Sequence, residues 1–185
     1  MSKVVVSMSL SVDGFMEGPD RDISWHMVDE ELHTDFNQYL ETASAFLEGR
    51  VTHELMAGFW PTADEDPSNP APVREFAAIW REKPKYVFSK TLDTTDWNTT
   101  VVRDVVPEQI RELKSEPGGD LSLGGADLAA SFMRLDLIDE YRLYIHPVVI
   151  GAGKRLFPPD VQFSLRLGEL RRFGNGVVLL HYATA

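Results

Sequence analysis

Leu121-Ser122-Leu123-Gly124-Gly125-Ala126-Asp127-Leu128 is the stretch on which the reading of this chain turns. A short strand pattern runs into two glycines, and a helical pattern follows in Leu128, Phe132 and Leu135. A helix that opens this way begins with backbone N–H groups that have no partner, at the positive end of its dipole. Those donors suit a phosphate, and glycine lets a pyrophosphate come close to the backbone. The full G-x-G-x-x-G fingerprint is missing, and a tight strand-to-helix turn that binds nothing has the same sequence.

Two further strand tips carry similar chemistry. Gly49-Arg50-Val51-Thr52-His53-Glu54 follows the short strand Ala45 to Glu48. Arg50 offers a planar fork of donors for phosphate oxygens, and Thr52 a hydroxyl. Ser89-Lys90-Thr91 follows Tyr86-Val87-Phe88, and two hydroxyls around an ammonium suit a ribose 2′-phosphate. Exposed arginines at helix starts and Ser or Thr in turns are also ordinary features. Together the three clusters sit at the carboxyl ends of three strands, the edge where open α/β sheets bind ligands.

Around these tips, strands and helices alternate. Lys3 to Ser9 is a β-branched run typical of a buried strand. Val28, Leu32, Phe36, Tyr39, Leu40 and Ala43 share one helical face, with Asp29, Glu30 and Glu31 in the first turn. Val73, Phe76, Ala77 and Trp80 mark a second helix, and Pro107 opens a third ahead of Ile110 and Leu113. Thr100 to Val102 reads as another strand. Tyr141 to Ile150 and Gly176 to Ala183 read as two long late strands with no helix between, an antiparallel edge. The proline-rich, acidic run Pro61 to Pro72 is expected to be an exposed loop. The sum is an α/β layered fold with a largely parallel sheet, in a single domain over residues 1–185.

Composition narrows the function. With 29 acidic against 18 basic side chains, a net charge of -11 argues against nucleic-acid partners and against adhesion to an anionic membrane. No apolar run approaches the roughly 20 residues that span a bilayer. The absence of cysteine excludes disulfides, thiolate metal sites and a cysteine nucleophile, and fits a cytoplasmic location. The five histidines show no close ligand pair, so no metal site is expected.

The order Val4 to Gly14, then Gly49 to Glu54, then Tyr86 to Leu92, then Gly124 to Leu128, resembles the dihydrofolate reductase-like superfamily. It is most similar to the reductase (C-terminal) domain of bacterial bifunctional riboflavin-biosynthesis deaminase-reductases and their stand-alone relatives. Leu137 to Tyr141 and Pro147 to Gly153 are similar to that group as well. The resemblance implies a three-layer α/β/α fold, a mixed and mostly parallel sheet of about eight strands, and NADPH as cofactor. It implies that Arg50 and Thr52 contact the cofactor phosphates and that Ser89, Lys90 and Thr91 hold the 2′-phosphate. Gly124, Gly125, Ala126, Asp127 and Leu128 would cradle the pyrophosphate, with Ser9, Asp13 and Gly14 near the nicotinamide.

Two positions depart from the riboflavin-pathway pattern: Leu123 stands where a glutamate usually precedes the double glycine, and Leu55-Met56-Ala57 stands where an Asp-Pro pair is usual. In true dihydrofolate reductases an acid a few residues after a tryptophan binds the pterin. Counting from Trp25, that place falls on or beside Glu30, within an acidic turn that is also routine for a solvated helix. Glu30, Asp13 and a bound water are the candidate proton sources. Lys154 and Arg155, in a glycine-rich loop, are candidates for a substrate phosphate.

The expected function is NADPH-dependent hydride transfer to a small heterocyclic or sugar-imine substrate, of the 5-amino-6-(5-phosphoribosylamino)uracil reductase type. The alternatives are a dihydrofolate or other pterin reductase and a nucleotide-binding module without reductase activity. A homodimer covering the apolar late strands is also expected.

Overall fold

The computed structural model describes residues 1–185. Ten strands and five α-helices follow in the order β1 (Val4–Ser11), β2 (Phe15–Glu17), α1 (Glu30–Thr42), β3 (Ala45–Gly49), α2 (Arg50–Ala57), α3 (Ala71–Glu82), β4 (Lys85–Phe88), β5 (Thr99–Val102), α4 (Pro107–Ser115), β6 (Leu121–Gly124), α5 (Ala126–Arg134), β7 (Glu140–His146), β8 (Lys154–Arg155), β9 (Leu165–Arg172) and β10 (Val178–Thr184). Eight strands make one sheet in the order β5-β4-β3-β6-β1-β7-β10-β9, and β2 pairs with β8 in a small second sheet. From β5 to β7 every pairing is parallel, while β10 runs antiparallel to both β7 and β9. This is the mixed, mostly parallel sheet with an antiparallel C-terminal edge that the strand and helix alternation predicts.

Side-chain alternation along the strands sorts the helices onto two faces. Val4, Val6, Leu47, Leu121 and Leu123 pack with Ile110 of α4 and with Leu128 and Phe132 of α5. Phe46, one residue from Leu47, packs instead with Phe76 and Trp80 of α3. Tyr144 packs with Leu32 of α1. Helices α4 and α5 therefore cover one face and α1 and α3 the other, giving three layers.

Local chemistry sets the helix ends. The Asp29 carboxylate accepts from the Leu32 N–H at 2.9 Å and caps α1, with Glu30 and Glu31 in the first turn where the dipole favours them. At its other end the Lys83 ammonium reaches the Glu41 and Ala43 carbonyls at 2.5 and 2.6 Å.

Four expectations are corrected. Strand β7 stops at His146, because Pro147 cannot donate to the ladder, and residues 147–153 form a loop. The run Pro61 to Pro72 is not solvated throughout: Trp60–Thr62 is a 3-10 turn, α3 begins at Ala71, and Pro61, Ala63 and Pro72 are buried. Arg81 grips Asp64 with two hydrogen bonds of 2.7 and 2.6 Å and so fixes that segment. The strand β9 was not expected at all. Because β9 and β5 are the free edges, the apolar strands β7 and β10 lie inside the sheet and are not the edge on which a dimer was expected. No helix is long and apolar enough to cross a membrane.

Candidate functional site

The sheet parts at one place. Strand β1 pairs with β6 only through Val4, Val5 and Val6, yet follows β7 from Val5 to Ser11. Beyond Val6, one edge of β1 faces a cleft of about 910 Å³ that opens over the carboxyl ends of the central strands.

One half of the cleft is built from strand tips. Glu48 lies opposite Gly124 in the β3–β6 register, and Gly49 lies opposite Phe88 in the β3–β4 register. Parallel pairing thus brings the starts of α2 and α5 and the Ser89 turn together. Gly49 precedes α2 and Gly125 precedes α5, and neither helix has a side-chain cap, so the first N–H groups of both remain available. Gly125 has φ +94, and a β-carbon there would sit 2.6 Å from the Thr52 hydroxyl oxygen. The cradle is therefore one that only glycine leaves open.

Ser9, Arg50, Thr52, Ser89, Lys90, Gly124, Gly125, Ala126, Asp127 and Leu128 all line this cleft. Arg50 is held toward the Glu54 carboxylate at 2.9 Å. The Ser89 hydroxyl accepts from the Thr91 and Leu92 N–H groups at 3.2 and 3.0 Å, closing a turn that presents Lys90 outward beside Asp104 at 3.2 Å. Thr91 shapes that turn and does not itself line the cleft. Arg103, absent from the sequence reading, donates to the Ser89 and Leu92 carbonyls at 3.2 and 2.7 Å and also lines the cleft. It directly follows β5 just as Ser89 follows β4, so the strand-tip rule would have found it.

Two candidate proton sources stand elsewhere. Glu30 is exposed at the start of α1 and does not line the cleft, because the helix turns residues 33, 36, 37 and 40 toward it. Asp13 also lies outside the lining. Its carboxylate accepts from the Gly151 and Ile150 N–H groups at 2.8 and 3.2 Å, pinning the 147–153 loop. Partial desolvation pushes the Asp13 carboxyl up, but bonds from Ser11, Gly151 and Ile150 outweigh this and hold it below its usual range. Asp13 is built as an acceptor, which argues against a proton donor. Gly14, with φ +86, makes the turn beside it and likewise does not line the cleft. Of the two loop cations, Lys154 lines the cleft and pairs with Asp127, while Arg155 turns to the Asp13 carbonyl and the Phe15 ring.

The other half of the cleft is apolar. Phe36 and Leu40 of α1, Phe46 of β3, Met56 of α2, Trp60 and Phe76 line it. His33 stands among them, 5.9 Å from the Trp60 ring and 6.3 Å from that of Phe76. Burial pushes its imidazole below its usual pKa, and Glu75 only partly offsets this. The Tyr144 hydroxyl at the cleft floor donates to Asp35 at 2.9 Å, and Asp35 also holds Arg142 and Arg171. Deeper still, Glu48 is buried and bonded to His53 at 3.0 Å.

Comparison with known proteins agrees with this architecture. A family model described as the RibD C-terminal domain matches residues 2–179. The protein YyaP of Bacillus subtilis (strain 168), described as uncharacterized, is 35% identical over 182 residues, 97% of this chain and 94% of its own. A putative riboflavin biosynthesis protein from Shewanella sp. PV-4 shares the fold with a TM-score of 0.75 at 19% identity, covering 99% of both chains. A Thermotoga maritima diaminohydroxyphosphoribosylaminopyrimidine deaminase/5-amino-6-(5-phosphoribosylamino)uracil reductase superposes with a TM-score of 0.68 at 16% identity, over all of this chain and 57% of that one. The chain belongs to the RibD C-terminal domain family.

Proposed function

We propose that the protein is an NADPH-dependent reductase of a small heterocyclic substrate. The single observation that carries this reading is the convergence of three strand tips, Gly49–Thr52, Ser89–Lys90 and Gly124–Leu128, on one half of a cleft whose other half is apolar. Two uncapped helix starts beside a glycine cradle fit a pyrophosphate. Lys90 and Arg103, at the tips of β4 and β5, fit the 2′-phosphate that separates NADPH from NADH.

When bound there, the cofactor supplies a hydride from its nicotinamide ring. The chain's own part is orientation and exclusion of water. Ser9, beyond the last β1–β6 pair, also lines the cleft. In the apolar half, His33 is the titratable side chain of the wall, and it takes the proton-donor role in place of Glu30 and Asp13, which do not line the cleft.

The experiment is a titration of NADPH fluorescence with the purified protein, followed by absorbance decay with pyrimidine and pterin substrates. Binding in the micromolar range with turnover supports the reading. Binding without turnover on either class favours a nucleotide-binding module, and no binding removes the reductase reading.

A further inference from the structure

Strand β9 is a free edge of the main sheet, and nearly every residue of it is exposed. Two of its leucines stand open to solvent, Leu167 at 49% and Leu170 at 62%. An exposed edge with apolar side chains is a template for another strand, and charges and bulges are the usual protection against that. Strand β9 carries both, and both are placed to suit one particular pairing.

The bulge resets which residues share a face. Glu169 lies opposite His181 of β10 and Leu167 opposite Tyr182, so Gly168 between them is an extra residue with no counterpart. Leu165, Leu167 and Leu170 lie opposite Thr184, Tyr182 and Leu180. Leu165, Leu180 and Tyr182 pack against the core under α4 and α5, so the three leucines share that face. Arg166, Glu169 and Arg171, opposite Ala183, His181 and Leu179, share the other, where Arg171 pairs with Asp35 of α1.

We propose that two copies of this chain join β9 to β9, antiparallel about a two-fold axis, with Arg166 of each copy opposite Glu169 of the other. An axis normal to the sheet keeps each face on its own side, so residues that oppose one another must share a face. The extra Gly168 lets the axis pass between Leu167 and Gly168. Leu165 then meets Leu170 on one face and Arg166 meets Glu169 on the other, each contact made twice. This register also gives Arg166 an ion-pair partner and Glu169 a better one than the His181 ring at 4.0 Å. Centring the axis on Arg166 sets that arginine against itself. Centring it on Leu170 relies on Arg171, which Asp35 already holds.

The test is sedimentation velocity of the full chain from about 1 to about 100 µM, the range expected for an interface at the small end of specific ones. Wild type is expected to be a dimer at the upper end. Arg166→Glu and Glu169→Arg each set like charges opposite one another twice, and each is expected to weaken association at least about tenfold. An equimolar mixture of the two variants restores both opposite-charge pairs, so it is expected to associate as wild type does. A wild-type monomer at about 100 µM, a dimer that both single variants leave intact, or a mixture no stronger than its components would each overturn the proposal. Should Glu169→Arg not fold, Leu170→Lys, at a position open to solvent, is the second variant required to dissociate the dimer.

Discussion

Thr52 of α2 and Gly125 before α5 stand so close that a β-carbon on the glycine would lie 2.6 Å from the threonine hydroxyl oxygen. Two helix starts on neighbouring parallel strands are thus brought together at a point where no side chain but hydrogen fits. Gly125→Ala meets both this clash and a left-handed φ of +94. It is expected to lower stability by about 1–3 kcal/mol in urea unfolding and to weaken NADPH binding at least about tenfold. Gly124→Ala is the control. Its added carbon would find Thr52 at an ordinary 3.8 Å, so cofactor affinity should change far less. Equal effects of the two would contradict the cradle.

Lys90 extends from the Ser89 turn with only Asp104 beside it. Its charge acts through solvent, so its contribution is modest and salt-dependent. Lys90→Gln is expected to weaken NADPH binding about threefold to tenfold and leave NADH binding unchanged. The two titrations at low and high salt measure this. A parallel loss for both nucleotides would place the 2′-phosphate elsewhere.

His33 is kept below its usual pKa by burial, so it is neutral at pH 7 and gains its proton only in acid. A general acid works while protonated, so kcat/KM should climb as pH falls below the usual histidine range, and decline as pH rises. His33→Gln should flatten that profile and lower the rate on the acid side at least about tenfold. An unchanged profile in the variant would assign the proton to water.

His146, fully buried at the end of β7, accepts from the Met27 N–H at 3.0 Å and stacks on His26. Burial, and then the His26 charge, depress its pKa from 6.5 to about 4. The folded state therefore stays neutral while the unfolded chain takes up a proton below pH 6.5. The stability tied to a neutral His146 is present above 6.5 and lost as pH falls toward 4, at about 1.4 kcal/mol per pH unit. Urea midpoints at pH 6.5 and 4.5 should show wild type losing about 2–3 kcal/mol more than His146→Asn, which keeps an acceptor for Met27. Equal losses would show that His146 is not the group responsible.

The regular parts of this fold are legible wherever a segment buries one face. The periodicity of Leu32, Phe36 and Leu40 and the apolar runs of β1, β3 and β6 all carry that mark. Strand β9, Leu-Arg-Leu-Gly-Glu-Leu-Arg-Arg, does not, because it is exposed along nearly its whole length and shows no alternation to read. The two short strands β2 and β8 are fixed by each other and by Gly153, which packs against the Glu17 carbonyl. In the site, nine of the strand-tip candidates, Arg50, Thr52, Ser89, Lys90 and Gly124 to Leu128, line the cleft, since parallel register aligns the tips whatever the loops do. Glu30 was misplaced by counting residues from Trp25. Where the helix begins, and so which way its residues turn, depends on the Asp29 cap rather than on that distance. His33 carries no motif. It becomes visible only when α1 is set against the Trp60 turn.

Strand β1 pairs with β6 through three residues only, with the Lys3 carbonyl accepting from the Leu121 N–H just before them. The cleft therefore opens between β6 and the far end of β1, while a shared core beneath, with Val4, Val6 and Leu143 against Leu47 and Leu123, joins the two sides. A ligand long enough to cross the mouth would touch both sides of that opening at once. Binding there would favour the folded state by mass action, so resistance to heat becomes a readout of what the cleft is holding.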